Sequence, residues 1–302
     1  MPNRLQPGDR IEIVSPASSI TVDKMALAMT QLQEWGYRVT LSDHALDHTE
    51  YLAGPDADRA ADLQHAFDDP DVAAVFCSRG GYGCARLFPH LDLDRIAATG
   101  KPFLGFSDIT TLHLALNRRG LITYHAPMPL TLSREREPWV LESLKAALAG
   151  ESPLHPAAPR GQTVVGGRAV GRLTGGCLCL VTDSIGTPDA IQTEGRIVLI
   201  EDVDENPHRI DAMLTQLLNT GLAQAAAGFV IGEMTGTDTR EDASIGRRPW
   251  REIVTERLAP LGKPMVFEYP FGHNSAMLTL PMGAMVEFDA DAGTLSLAEV
   301  AV

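Results

Sequence analysis

The chain has 302 residues, of which 44% are apolar and 21% are charged, as expected for a soluble globular protein of about two domains. The formal net charge of -14 argues against nucleic acids and anionic membranes as main partners, because both repel an acidic surface. The N-terminus lacks the apolar core of a signal peptide, and no segment approaches about 20 consecutive apolar residues, so we expect a cytoplasmic protein without membrane spans.

Predicted strands and helices alternate in the first half of the chain. The strands are 10–14, 38–41, 73–77, 102–106 and 121–124, and the helices are 21–36, 56–68, 108–119 and 138–149. In the first helix, apolar side chains recur at Val22, Met25, Met29 and Leu32, which is helical spacing. This alternation predicts an α/β fold with a mostly parallel sheet flanked by helices.

Composition changes after residue 150. Residues 151–162 are rich in proline and predict a linker between an N-terminal domain, 1–150, and a C-terminal domain, 163–302. The second domain is predicted to be smaller and α/β, with a β-rich tail. Its predicted strands are 196–200, 228–232, 264–269, 284–288 and 293–297, and its predicted helix is 207–220. The long charged stretch 235–249 lacks apolar periodicity and is expected to be a mobile loop near a cleft.

The four cysteines predict neither a disulfide nor a metal site. Cys77, Cys84, Cys177 and Cys179 form no Cys-x-x-Cys pair, and the last two are too close in sequence for the usual metal-ligand spacing. We expect all four to be reduced and to act as small buried apolar residues. The histidines show no His-x-x-x-His cluster either, so no metal and no cofactor is expected.

Ser107 follows a predicted strand and precedes a predicted helix. Open α/β sheets bind ligands at the carboxyl ends of their strands, and a helix start offers unpaired N–H groups to an anion. The position therefore suits a nucleophilic serine, although Ser107 or Asp108 could instead simply cap the helix. Ile109 stands where the Gly-x-Ser-x-Gly elbow has its second glycine, which disfavours an ordinary α/β-hydrolase.

Two further polar residues, Glu201 and His273, come after predicted strands of the second half. A serine nucleophile needs a base, and the base needs a third group to orient it. Ser107, His273 and Glu201 would satisfy that need if the fold unites them. Taken singly, Glu201 could pair with an arginine and His273 could be a turn residue. His125, after the strand 121–124, is the second choice for the base.

The turn Ser78-Arg-Gly-Gly-Tyr-Gly83 is the remaining candidate element. Consecutive glycines let backbone N–H groups converge on an anion or an oxyanion. The turn lacks the Lys-Ser/Thr ending of a P-loop and the spacing of a dinucleotide fingerprint. It is either an oxyanion cradle or a tight turn that requires positive φ angles.

Together these motifs resemble the LD-carboxypeptidase family of serine peptidases, which includes muramoyltetrapeptide carboxypeptidases and microcin C immunity peptidases. The matching segments span most of the chain: 8–17, 78–83, 105–108, 175–176, 185–188, 199–202 and 271–273. The resemblance implies two domains with the active site between them, a Ser–His–Glu triad, no cofactor and a homodimer.

By motif, the resemblance implies that Ser107 is the nucleophile, His273 the general base and Glu201 the residue that orients it. It implies an oxyanion hole made by the backbone N–H groups of Gly81 and Asp108. These roles agree with the interpretation of the same residues from their positions after strands and in the glycine turn.

The rest of the implied pocket is less well matched. Arg79 is a candidate for binding the terminal carboxylate of a substrate, because arginine pairs bidentately with carboxylates. Cys177 stands where the family often has asparagine, and Ala126 stands where it often has glycine. Both differences could reshape the substrate pocket, and neither falls on a triad position.

The implied partner is a small peptide, a murein tetrapeptide whose terminal D-Ala is removed through an acyl-enzyme during peptidoglycan recycling. The close alternative is a microcin C-type immunity peptidase that cleaves peptidyl- or aminoacyl-nucleotide amides. Such enzymes tend to carry an aromatic residue near the domain junction, and segment 168–190 contains none, which favours the carboxypeptidase. The alternative from another class is a non-catalytic two-domain protein that binds a small ligand.

Overall fold

The computed structural model describes residues 1–239 and 248–298, which form two compact units. The first unit comprises Met1–His155 together with Leu278–Met282, and the second comprises Pro156–Met277 and the described residues from Gly283 onward. The predicted division at 151–162 stays a prediction. The return of Leu278–Met282 to the first unit is a long-range feature that no local sequence pattern marks.

The first unit is built on a six-stranded sheet. Its strands are β1 (Arg10–Val14), β2 (Arg38–Leu41), β3 (Val72–Cys77), β4 (Phe103–Gly105), β5 (Thr123–His125) and β11 (Leu280–Met282). The strand order is β11-β5-β4-β3-β1-β2, and only β11 is antiparallel to its neighbour. Its helices are α1 (Val22–Glu34), α2 (Asp56–Asp68), α3 (Leu93–Ala98), α4 (Thr110–Arg118), α5 (Pro129–Leu132) and α6 (Pro138–Leu148). The predicted mostly parallel sheet is confirmed.

The core of this unit follows from its apolar pattern. Helix α1 buries Met25, Ala28 and Leu32, which recur at helical spacing on one face, in a core that includes side chains of β1 and β3. The helix ends just before Gly36, whose φ of +91° suits the left-handed turn that commonly follows a helix.

The second unit contains a seven-stranded mixed sheet. Its strands are β6 (Gln162–Val165), β7 (Arg168–Cys177), β8 (Ile197–Val203), β9 (Gly228–Thr235), β10 (Met265–Phe267), β12 (Met285–Asp289) and β13 (Thr294–Leu297). The order is β13-β12-β7-β8-β9-β10-β6, with β7 to β10 parallel and the outer strands antiparallel. Its helices are α7 (Leu178–Asp183), α8 (Pro207–Asn219), α9 (Leu222–Ala225) and α10 (Trp250–Leu258). The predicted α/β unit with a β-rich tail is confirmed.

Two element boundaries differ from the sequence prediction in ways that concern the site. The predicted strand 196–200 stops before Glu201, whereas β8 continues to Val203, so Glu201 lies within a buried strand. The predicted helix 108–119 begins instead as a 3₁₀ turn, Ser107–Ile109, before α4. Carboxylates rarely occupy a strand interior, so local propensity predicts that the strand ends before Glu201. In the structure, a hydrogen bond between His273 and the Glu201 carboxylate stabilises the longer strand.

The predicted mobile loop 235–249 is described only in part, because residues 240–247 lie outside the part of the chain that the structure describes. Its beginning completes β9 and then forms a 3₁₀ turn, Thr237–Thr239. Across 1–239 and 248–298, every helix is too short or too polar to cross a bilayer.

Candidate active site

Ser107 has a strained backbone at the end of a parallel strand. Strand β4 ends at Gly105, and the 3₁₀ turn begins at Ser107, whose φ is +66°. A left-handed conformation at a residue other than glycine costs on the order of 1–3 kcal/mol, and residues strained in this way cluster at active sites and ligand clamps. The turn presents the Ser107 side chain at the sheet edge where open α/β folds bind ligands.

Gly80 packs directly against this serine. A Cβ built on Gly80 would lie 2.7 Å from Ser107 Cβ, 2.9 Å from its Oγ and 3.1 Å from the backbone nitrogen of Asp108. Only glycine therefore permits the glycine turn to approach the Ser107–Ile109 turn so closely. Gly81, at φ +117°, lies against Ser18. The sequence singled out Gly81 and missed the contact that Gly80 makes.

The Asp108 side chain ties the same two turns together. Its Oδ2 accepts the backbone N–H of Cys84 at 2.8 Å, and the residue is buried. Cys84 begins the 3₁₀ turn that follows the glycine turn. From the sequence, a function was predicted only for the Asp108 backbone. In the structure its carboxylate accepts a hydrogen bond from another loop, and that contact is not a helix cap. The oxyanion roles of Gly81 and Asp108 stay predictions.

Arg79 holds the glycine turn to the loop after β1. Its Nε donates to the Gly80 carbonyl at 3.2 Å and its Nη1 donates to the Ser19 carbonyl at 3.1 Å. Burial lowers the pKa of the guanidinium. Two of its donors are thus used by the backbone, and its predicted contact with a substrate carboxylate stays a prediction.

Two buried histidines of the first unit support the strand end. Burial lowers the pKa of His113 to about 4, and its Nε2 lies 2.8 Å from the Gly105 carbonyl, to which the neutral ring donates. This bond fixes the end of β4 to α4. His125, the second choice for the base, is fully buried in β5 with its ring 5.5 Å from that of Phe106. Such burial disfavours His125 as a base that must reach a substrate.

Glu201 and His273 form a hydrogen-bonded pair in the second unit. His273 Nδ1 lies 2.7 Å from Glu201 Oε2, and the His273 backbone N–H donates to the same oxygen at 3.2 Å. The Glu201 side chain is fully buried, whereas that of His273 is 18% exposed. With the Nδ1 proton directed to the carboxylate, Nε2 carries the lone pair of the neutral ring. This is the arrangement of a general base oriented by an acid.

Glycines enclose the Glu201 carboxylate. A Cβ on Gly272, at φ +93°, would lie 2.5 Å from Glu201 Oε2 and 2.6 Å from its Cγ. A Cβ on Gly232 would lie 3.1 Å from Glu201 Cβ. The Phe271-Gly-His273 turn can therefore fold over the carboxylate only with glycine at its centre, which places His273 in reach of Glu201.

If His273 acts as a general base, Gly272→Ala is expected to lower the catalytic rate at least tenfold. The new methyl group must displace the Glu201 carboxylate that orients His273. The left-handed backbone of the new alanine should also lower the free energy of unfolding by about 1–2 kcal/mol. Steady-state kinetics and thermal unfolding of the variant measure the two effects separately.

Gly186→Ala is the matched control. Gly186 has the same φ of +93°, but a Cβ there meets nothing within 4 Å. It should lose similar stability while keeping its activity. Equal loss of activity in both variants would mean that backbone strain, and not the contact with Glu201, is responsible.

The electrostatics of the pair favour a charged imidazolium. Burial by itself lowers the pKa of His273, but the charge of Glu201, its hydrogen bond and the charges of Asp202 and Asp204 together raise the pKa above the usual 6.5. Next to Glu201, burial and then the Glu201 charge raise the pKa of Asp202 to about 6. The second unit thus places two buried carboxylates beside each other, one of which binds His273.

Comparison with protein families covers both halves of the chain. Residues 11–126 match the LD-carboxypeptidase N-terminal domain, and residues 170–288 match the LD-carboxypeptidase C-terminal domain. The chain belongs to the LD-carboxypeptidase family. This membership confirms the resemblance inferred from the motifs and the predicted class of serine peptidase.

Individual relatives of this LD-carboxypeptidase family member extend over nearly its whole length. The murein tetrapeptide carboxypeptidase of Pseudomonas aeruginosa is 34% identical, with 92% of each chain covered. The crystal structure of muramoyltetrapeptide carboxypeptidase from Oxalobacter formigenes superimposes with a TM-score of 0.82 and 27% identity, covering 95% of this chain and 97% of that one. The microcin C7 self immunity protein MccF in complex with aspartyl sulfamoyl adenosine has a TM-score of 0.85 at 23% identity, with 98% of each chain covered, which shows the shared fold alone.

Proposed function

We propose that this protein is a serine LD-carboxypeptidase that hydrolyses the amide bond before the C-terminal D-Ala of murein tetrapeptides. The observation that carries the proposal is the buried Glu201 carboxylate bound to Nδ1 of His273, because it supplies an oriented base. Family membership and the 34% identical relative named murein tetrapeptide carboxypeptidase support the substrate class. The proposal includes action in the cytoplasm during peptidoglycan recycling, as a homodimer.

The proposed reaction is acyl transfer to water. Ser107 Oγ attacks the carbonyl carbon before D-Ala while His273 Nε2 takes the hydroxyl proton. The oxyanion accepts hydrogen bonds from the N–H groups of Gly81 and Asp108, each worth about 3–4 kcal/mol in comparable sites. Collapse of the intermediate breaks the amide C–N bond, and the imidazolium of His273 protonates the departing amine of D-Ala.

A water molecule then completes the cycle. His273 takes a proton from this water, whose oxygen attacks the acyl carbon of the Ser107 ester. The ester C–O bond breaks, the proton returns to Ser107, and the tripeptide leaves as the free acid, which releases its remaining proton to solvent. Glu201 keeps its own charge throughout and stabilises the imidazolium in both halves of the reaction.

The direct test is mass spectrometry of purified protein incubated with L-Ala-γ-D-Glu-meso-diaminopimelate-D-Ala without added metal. We expect loss of one D-Ala and accumulation of the tripeptide. Cleavage of aminoacyl-sulfamoyl adenylates, with the tetrapeptide left intact, would instead assign the immunity-peptidase activity. Tight binding of the tetrapeptide by folded protein without turnover would contradict hydrolysis and support the binding-protein alternative.

A further inference from the structure

Three metal-binding atoms lie together in the second unit, outside the proposed catalytic pair. Cys177 Sγ is 3.4 Å from Cys179 Sγ and 3.4 Å from Asp202 Oδ1. One ligand atom from each of the three residues lies within 4.8 Å of the other two. The structure thus brings together a donor set of two thiols and one carboxylate, which the spacing of the cysteines alone did not predict.

Secondary structure holds these donors in place. Cys177 ends β7, Cys179 is the second residue of α7, and Asp202 lies on β8, which pairs with β7. The Asp202 carboxylate is fixed by the backbone, since Oδ2 accepts the Cys179 N–H at 2.9 Å and Oδ1 accepts the Val203 N–H at 2.8 Å. Each carboxylate oxygen has two lone pairs, so both bonds leave capacity for a metal ion.

The distances fit a bound cation better than a disulfide. Tetrahedral Zn²⁺ with bonds of about 2.3 Å to sulfur and about 2.1 Å to oxygen separates two sulfurs by about 3.8 Å, and a sulfur from an oxygen by about 3.6 Å. Both observed separations are 3.4 Å, a few tenths of an ångström from those values. A disulfide needs about 2.05 Å between the sulfurs, a much larger movement.

Charge and access favour the same ligand class. Glu201 and Asp202 are adjacent and almost completely buried, and within the described ranges no lysine or arginine pairs with Asp202. Since Glu201 already binds His273, a cation would compensate the buried negative charge of Asp202. Thiolates prefer soft or borderline metals, and Cys179 is only partly buried, which gives an ion a path to the site.

We propose that Cys177, Cys179 and Asp202 bind one thiophilic divalent cation, of the class of Zn²⁺ or Cd²⁺. Binding forms two metal–sulfur bonds and one metal–oxygen bond and releases the two thiol protons to solvent. A water molecule completes a tetrahedral shell. The site adjoins the proposed catalytic pair, because Cys177 is the register partner of Glu201 between β7 and β8.

The test is titration of the reduced, metal-free full-length protein with Cd²⁺, followed by the ultraviolet absorption of the thiolate–Cd²⁺ bond, together with equilibrium dialysis against Zn²⁺. We expect one ion per chain. Cys179→Ser, at the more exposed of the two sulfurs, should weaken binding at least tenfold and reduce the absorption per bound ion. Asp202→Asn should weaken binding while keeping the thiolate absorption.

Cys77→Ala is the matched control, since it removes a buried free cysteine of the first unit and should leave the stoichiometry unchanged. Circular dichroism establishes that each variant is folded. Absence of stoichiometric binding by the reduced protein would overturn the proposal. Unchanged affinity in folded Cys179→Ser, or loss of binding in Cys77→Ala, would do the same.

A second readout rests on the proposed function. Zn²⁺ should slow tetrapeptide hydrolysis at least tenfold, and a chelator should reverse the effect, because the ion lies beside Glu201. Cys179→Ser should resist this inhibition, and equal inhibition of the variant would contradict it. Binding is measured without substrate, so a protein that binds the ion but does not hydrolyse the tetrapeptide would contradict only the proposed function.

Discussion

Ser107→Ala is expected to reduce D-Ala release by about 10⁴-fold or more, because the variant lacks the oxygen that forms the acyl-enzyme. The substitution should leave the fold intact, and alanine even removes the hydroxyl that packs against Gly80. Peptide affinity should change little, since the contacts that hold the substrate remain. Turnover is measured by mass spectrometry of released D-Ala, and affinity by calorimetry with the tetrapeptide.

Ser19→Ala provides the control for removing a hydroxyl. Ser19 Oγ lies 2.7 Å from His48 Nδ1, so the first unit contains an exposed serine–histidine contact of its own. Its removal should leave hydrolysis within about twofold of the unchanged protein, because a surface substitution usually changes the free energy of unfolding by no more than about 0.5 kcal/mol and Ser19 has no proposed role in the reaction. If Ser19→Ala and not Ser107→Ala abolishes release, the assignment of the nucleophile is wrong.

The first unit shows how far local sequence reaches. The apolar strand 102–106, the polar break at Ser107 and the apolar periodicity that follows were enough to place a hydroxyl at a strand end, and β4 and α4 bear out that pattern. The left-handed φ of Ser107 and the contact of Gly80 were not predictable, because both depend on how two loops distant in sequence pack together.

The second unit shows why the remainder escaped prediction. Glu201 was expected at a strand end because a carboxylate inside a buried strand is costly, yet His273, 72 residues later, supplies the compensating bond. Cys177 and Cys179 were predicted to be small buried apolar residues, because the third possible metal ligand, Asp202, lies on the neighbouring strand. Sequence spacing detects donors on one segment, whereas these sites combine segments that only the sheet register brings together.

Glu201→Gln is expected to lower kcat/KM by about 10²–10⁴-fold and to move its acid limb to lower pH. His273 must be neutral to accept the Ser107 proton, so activity in the unchanged protein should rise with pH through a midpoint above 6.5, the direction in which the His273 pKa is shifted. Glutamine removes the charge and the carboxylate hydrogen bond that raise this pKa. Burial, the largest single influence on this pKa, is then opposed only by the charges of Asp202 and Asp204, so the midpoint should fall.

The measurement is kcat/KM for tetrapeptide hydrolysis across the range from about pH 5 to pH 9, together with the NMR titration of the His273 ring. Glu205→Gln is the matched control, because it makes the same substitution four residues further along, at a side chain that is 26% exposed. Its profile should keep the original midpoint. A Glu201→Gln profile that keeps both its midpoint and its height would show that Glu201 neither charges nor orients the base. A profile that loses height at an unchanged midpoint would leave orientation, without charge, as the contribution of this carboxylate.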